Sequence, residues 1–126
     1  MLVFDIDRFK CVNDEYSHLV GDAVLREVAG LARARVRRED TIARYGGEEF
    51  VVLMPETRVG NVRAVGEQLR ASIASHMIEY RGASLSVTVS VGCAELEDGD
   101  FAATDLVARA DQRLYNAKHA GRNRVR

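Results

Sequence analysis

Two adjacent glycines, Gly46-Gly47, sit between two short apolar runs, and no feature of the 126-residue sequence restricts the fold more. A Gly-Gly pair between strand-like residues predicts a type I′ hairpin, in which both central residues take positive φ. Such a hairpin makes its strands antiparallel and excludes an all-parallel sheet. Residues 41–45 predict the outgoing strand and residues 48–54 the return, which Pro55 ends. Residues 2–6, Leu-Val-Phe-Asp-Ile, predict a buried strand with an acid near its end.

Helical spacing of Val24, Leu25, Val28, Leu31 and Ala32 predicts a helix over residues 22–36. Thr57 is expected to cap a second helix reaching about residue 76, and Thr104 a third reaching about residue 119, stopped by Gly121. Residues 84–94 alternate between Leu85, Val87, Val89 and Val91 and the small Ser86, Thr88, Ser90 and Gly92. That pattern predicts one strand with an apolar face and a small polar face. Residues 123–125 predict a last short edge strand. The order is β-α-β-β-α-β, then a helix and a tail. It predicts one α/β (α+β) domain over residues 1–126, ferredoxin-like, with a central, mainly antiparallel sheet and helices on one face. In that topology the third strand lies beside the first, and Asp5 meets Glu48.

Composition narrows the function classes. A net charge of −1 argues against a protein that coats nucleic acid or an anionic membrane. The apolar runs are only a few residues long, too short to span a bilayer. Cys11 and Cys93 match no metal spacing and are read as free thiols of a cytoplasmic protein. Of 18 basic residues only Lys10 and Lys118 are lysine.

Chemistry is concentrated in carboxylates. Asp5, Asp7, Glu48 and Glu49 are expected near one hairpin tip, an all-oxygen donor set suited to Mg²⁺ or Mn²⁺. A solvated acidic tip explains Glu48-Glu49 equally well. Asp5 favours the metal, because a carboxylate inside Val-Phe-Asp-Ile is costly unless it is paired or holds a cation.

Gly46-Gly47-Glu48-Glu49-Phe50 resembles the signature of diguanylate cyclases, the GGDEF domains of bacterial signalling. The resemblance extends through Asp5-Ile6-Asp7-Arg8-Phe9-Lys10, Asn13-Asp14, His18, Gly21-Asp22 and Arg44-Tyr45. It continues in Ser90-Val91-Gly92, Ala110-Asp111, Leu114-Tyr115, Ala117-Lys118 and Gly121-Arg122-Asn123. It implies a palm-like nucleotidyl-cyclase fold that joins two GTP into cyclic di-GMP across two facing domains, a homodimer for catalysis, and releases two pyrophosphates. It implies metal at Asp5, the Ile6 carbonyl, Glu48 and Glu49, with Glu48 or Glu49 as the catalytic acid-base group. Asn13 and Asp22 would read guanine, His18 would lie near the base or ribose, and Arg44 beside the substrate. Lys118 and Arg122 would contact the triphosphate, with Phe9 and Lys10 near the phosphates. Arg37 and Asp40, spaced Arg-x-x-Asp before Gly46, resemble an inhibitory product site.

Local readings of the same residues stand beside these. Asn13-Asp14 fits a turn or cap, Asp22 a first-turn acid, and Lys118, Arg122 and Arg37 cations at helix ends. The family's usual Leu-Thr-Gly-Leu stretch and helix before the first strand have no match here, which implies an N-terminally truncated domain. The resemblance also implies a sensory or dimerising domain elsewhere in the parent protein, which would be cytoplasmic or membrane-anchored. The rival readings are a module that binds GTP or cyclic di-GMP without turnover, and another palm-like nucleotidyl enzyme that prefers ATP.

Overall fold

The computed structural model describes residues 1–100 and 102–126. In chain order the elements are β1 (Leu2–Ile6), α1 (Phe9–Glu15), α2 (His18–Arg33), β2 (Thr41–Arg44) and β3 (Glu49–Leu53). They continue with α3 (Val59–Ala74), β4 (Ile78–Tyr80), β5 (Ala83–Leu85), β6 (Val89–Cys93) and α4 (Ala103–His119). Four strands form one antiparallel sheet in the order β2-β3-β1-β6, and β4 and β5 form a separate hairpin. The expected neighbourhood of the first and third strands is present: Phe4 lies opposite Phe50 and Asp5 opposite Glu49. The Phe4 and Phe50 rings stack with centroids 5.0 Å apart, a cross-strand contact that fixes this register.

Helices cover both faces of the sheet, not one. Leu2, Phe4 and Ile6 pack into the larger core with Val24 and Val28 of α2 and Leu69 and Ile73 of α3. Met1 and Val3 pack on the opposite face against Ala110 and Leu114 of α4. The alternation over 84–94 misleads here. Ser90 and Gly92 share the face of Asp5 and Val3, and α4 buries that face. A Cβ on Gly92 would lie 2.2 Å from the Ala110 carbonyl oxygen and 2.4 Å from the Leu114 nitrogen, so glycine is what lets α4 sit down on β6. Gly92→Ala is expected to destabilise the domain by about 1–3 kcal/mol, read as a lower Tm in thermal denaturation.

Several boundaries differ from expectation. Residues 84–94 split because β5 pairs with β4, whereas β6 pairs with β1. The seven-residue α1 buries only Phe9 and Val12, too few positions to show a helical period. Helix α2 starts at His18, with the Ser17 hydroxyl accepting the Val20 N–H, and ends at Arg33. Thr57 caps nothing: its hydroxyl donates to the Pro55 carbonyl, and the Val59 N–H that opens α3 donates to Glu95 Oε2 at 2.8 Å. Thr104 lies in the first turn of α4, while Asp105 accepts the Ala102 N–H. Gly121, at φ 112°, follows the end of α4 as expected. The tail adds a parallel bridge between Val125 and Val91 beside β6.

Candidate functional site

Asp5 is the last but one residue of β1 and faces α4. Its residue exposure is 6%, and Oδ2 lies 3.0 Å from Lys118 Nζ in the last turn of α4. Burial pushes its carboxyl up to about 6; Lys118 opposes that shift, and the charges of Glu48 and Glu49 add to it. Ile6, fully buried, donates its N–H to the Glu48 carbonyl at 3.2 Å. Both signature acids are half-buried, Glu49 directly across from Asp5 and Glu48 one residue before β3.

The turn that carries them differs from the expected type I′ geometry, since neither Gly46 nor Gly47 has positive φ. Tyr45 and Gly46 both donate their N–H to the Glu49 carbonyl, which makes a wider loop. Gly46 leaves room for a signature acid: a Cβ there would lie 2.9 Å from Glu49 Oε2, the movable end of that side chain, and would push the carboxylate aside. Arg44 clamps the loop, its Nε 3.1 Å and 3.0 Å from the Gly46 and Gly47 carbonyl oxygens and Nη2 2.6 Å from the latter.

Beside this acidic end lies an open cleft of about 330 Å³. Phe9, Lys10 and Asn13 of α1 form one wall, and His18 and Asp22 of α2 another; Arg44, Gly47 and Glu48 close it. Gly21, which sequence reasoning gave no role of its own, shapes this wall. A Cβ on Gly21 would lie 1.9 Å from Asn13 Oδ1, a movable side-chain atom. Gly21→Ala is therefore expected to swing Asn13 out of place and weaken nucleotide affinity about tenfold. Stability should change by less than about 1 kcal/mol; nucleotide titration and thermal denaturation check the two effects.

Other predicted residues lie apart from the cleft. Arg122 lines a neighbouring cavity with Arg8 and Asn123. Gly121, Arg122 and Asn123 have φ of 112°, 61° and 45°, a left-handed run that costs about 1–2 kcal/mol at each non-glycine position. Asp7 does not join the acidic cluster: its carboxylate accepts from Thr88 Oγ1 at 2.6 Å, Ser90 Oγ at 2.7 Å and the Asn123 N–H at 3.0 Å. Arg37 and Asp40 sit past the far end of the 16-residue α2, roughly 20 Å along its axis from Asp22. Arg37 is exposed. Asp40 is 3% exposed, accepts the Arg37 N–H through Oδ2, and has no hydrogen bond to its buried Oδ1.

The family profile described as diguanylate cyclase, GGDEF domain, matches residues 1–124. The chain belongs to the GGDEF family. It is 49% identical over 125 residues to diguanylate cyclase DgcP of Pseudomonas aeruginosa, covering 99% of this chain and 18% of that protein. It is 44% identical to diguanylate cyclase A of Treponema denticola, covering 99% of this chain and 34% of that one. The chain thus spans about a fifth to a third of these curated relatives. Among solved structures, the GGDEF domain of DgcB from Caulobacter crescentus, in complex with c-di-GMP, superposes with a TM-score of 0.93 at 38% identity, over 98% of this chain and 74% of that one. The active GGEEF domain of a Vibrio cholerae diguanylate cyclase gives 0.91 at 35%, over 98% and 78%. Palm-like GGDEF architecture accounts for the sheet order that brings Asp5 beside Glu49.

The donor chemistry at this end fits a divalent cation completed by substrate. Among the described residues no three Asp, Glu, His or Cys side chains converge as a closed metal cage. Mg²⁺ does not require one, since it takes one or two carboxylates plus phosphate oxygens and water. A buried Asp5 whose charge is disfavoured by burial and by two neighbouring acids is the kind of ligand that a cation relieves. No helix among the described residues is long and apolar enough to cross a membrane.

Proposed function

We propose that this chain is a diguanylate cyclase catalytic domain: two copies, each holding one GTP, join them into cyclic di-GMP and release two pyrophosphates. The observation that carries this reading is the buried Asp5, set against Glu48 and Glu49 beside the cleft of Asn13 and Asp22. Asp22 offers two acceptor oxygens to guanine's adjacent ring N–H and amine, and Asn13 bonds the purine edge. His18 lies beside base or ribose. Lys118 and Arg122, with Phe9 and Lys10 at the corner after β1, hold the triphosphate.

Asp5, the Ile6 carbonyl and Glu48, with Glu49 alongside, would hold Mg²⁺ or Mn²⁺, which when bound polarises the α-phosphate and acidifies the attacking hydroxyl. Glu48, which lines the cleft, takes the proton of the 3′-hydroxyl, with Glu49 the second candidate. The 3′-oxygen forms the new bond to the partner nucleotide's α-phosphorus, and the bond to pyrophosphate breaks. The first bond gives a linear dinucleotide, and ring closure repeats the step with the roles exchanged, releasing the second pyrophosphate. Since each copy supplies one half, turnover per chain is expected to rise with chain concentration. A rate per chain independent of concentration contradicts the two-domain reading.

Cyclic di-GMP also fits as an inhibitor at Arg37 and Asp40. The exposed Arg37 guanidinium can fork onto phosphate or onto guanine O6 and N7, and the buried Asp40 holds the Arg37 backbone in place by accepting its N–H. In calorimetry, Arg37→Ala/Asp40→Ala is expected to weaken cyclic di-GMP binding by about tenfold or more. Unchanged binding in the double variant removes this site. Dimerising or sensory domains of a parent protein are the partners that would bring two copies together.

A further inference from the structure

Asp7 is a buried carboxylate for which the reaction above has no use. It is 8% exposed, and both of its oxygens are taken by donors from elsewhere in the chain. Thr88 and Ser90 come from the segment entering and forming β6, and the Asn123 N–H comes from the turn after α4. The last bond spans 116 residues of sequence. The groups on either side of it matter. Arg8, next to Asp7, is left-handed at φ 57° and opens α1. Arg122, next to Asn123, sits in the left-handed run at φ 61°. These two corners, one from each end of the chain, line one cavity.

The turn after α4 is held only in part by its own helix. Three consecutive residues take a conformation that L side chains disfavour, and bonds from α4 and from two neighbours offset that cost. Arg122 N–H reaches the Ala117 carbonyl at 3.1 Å, Arg70 Nη1 reaches Asn123 Oδ1 at 2.8 Å, and Asp7 accepts the Asn123 N–H. Of these, only Asp7 links the turn to the strand that carries Asp5. Its hydroxyl partners hold the carboxylate in place from the other side.

We propose that Asp7 is a positioning residue for the triphosphate: it fixes Arg122 relative to the end of β1, and it is not a metal ligand. This rests on the reading that Arg122 and Lys118 hold phosphate. The geometry requires an acceptor for the Asn123 N–H, not a negative charge. In Asp7→Asn the amide oxygen can keep the Thr88 and Asn123 bonds while the amide nitrogen donates to Ser90 Oγ.

The test uses the full chain and 3′-deoxy-GTP, which binds but has no hydroxyl with which to attack, with guanosine as the phosphate-free control. Asp7→Ala is expected to lower 3′-deoxy-GTP affinity about tenfold and to leave guanosine affinity within about twofold. In an Arg122→Ala background the Asp7→Ala effect should vanish, because both act on the same contact. Asp7→Asn is expected to stay within about threefold of the parent in affinity and in the Mg²⁺ concentration needed for half-maximal turnover. That arm decides the matter even if Asp7→Ala does not fold. An Asp7→Asn protein that binds 3′-deoxy-GTP normally but needs far more Mg²⁺ makes Asp7 a metal ligand and overturns the proposal. Equal 3′-deoxy-GTP affinity in parent and Asp7→Ala also overturns it. A parent chain that binds 3′-deoxy-GTP no better than guanosine instead overturns the phosphate reading itself, and this proposal with it.

Discussion

Asp5→Asn is expected to abolish formation of cyclic di-GMP while the domain stays folded. The amide cannot serve as an anionic ligand, so a loss of at least about 10³-fold in turnover is expected. Stability moves the other way. The folded-state carboxyl of Asp5 lies at about 6, raised from an ordinary value of 3.8. Between those values the folded protein keeps a proton that the unfolded chain releases. Folding is therefore penalised increasingly as pH rises from about 4 to 6, and fully above 6. Without divalent cation, Asp5→Asn should be more stable than the parent at pH 8, by on the order of 3 kcal/mol, a figure that already includes the attraction of Lys118. The gain should disappear below pH 4. Thermal denaturation at the two pH values checks the sign, and a variant less stable at pH 8 than the parent counts against burial as the dominant cost at Asp5.

Asp22→Ala is expected to erase a preference for GTP over ATP. Guanine presents two adjacent donors where adenine presents a donor and an acceptor, so a carboxylate discriminates between them. Losing that pair should cost GTP about 1–3 kcal/mol, a roughly 5- to 150-fold weaker affinity, with ATP little changed. Competition binding with both nucleotides measures it. Equal affinity for GTP and ATP in the parent would sink the assignment of Asn13 and Asp22.

The part of this site that depends on strand order was legible in the sequence. A hairpin at Gly46-Gly47 and a helix between the first two strands place the third strand beside the first; the expectation that Asp5 meets Glu48 is off by one residue, because the strand register sets Glu49 across from Asp5. What the sequence hid has physical reasons. Side-chain alternation cannot report that α4 lies backbone-close on Gly92, because glycine and serine read as a polar face whether water or a helix covers them. Gly46 reads as a positive-φ residue, yet its φ is ordinary and what its missing Cβ leaves free is room for the movable Glu49 carboxylate. Asp7 looked like one more acid in a cluster. Its partners Thr88, Ser90 and Asn123 are joined to it only by the closing of the sheet and the return of the tail. Helix α1, which carries Asn13 into the cleft, is too short for periodicity to reveal.

The most direct test of the central claim is product analysis: the chain at high concentration with GTP and Mg²⁺, nucleotides separated by chromatography and pyrophosphate counted. The structure predicts cyclic di-GMP from GTP, two pyrophosphates for each cyclic product, and no comparable product from ATP. GTP bound but left unchanged would assign the chain to a binding module, and preferential turnover of ATP would assign it to a different nucleotidyl enzyme.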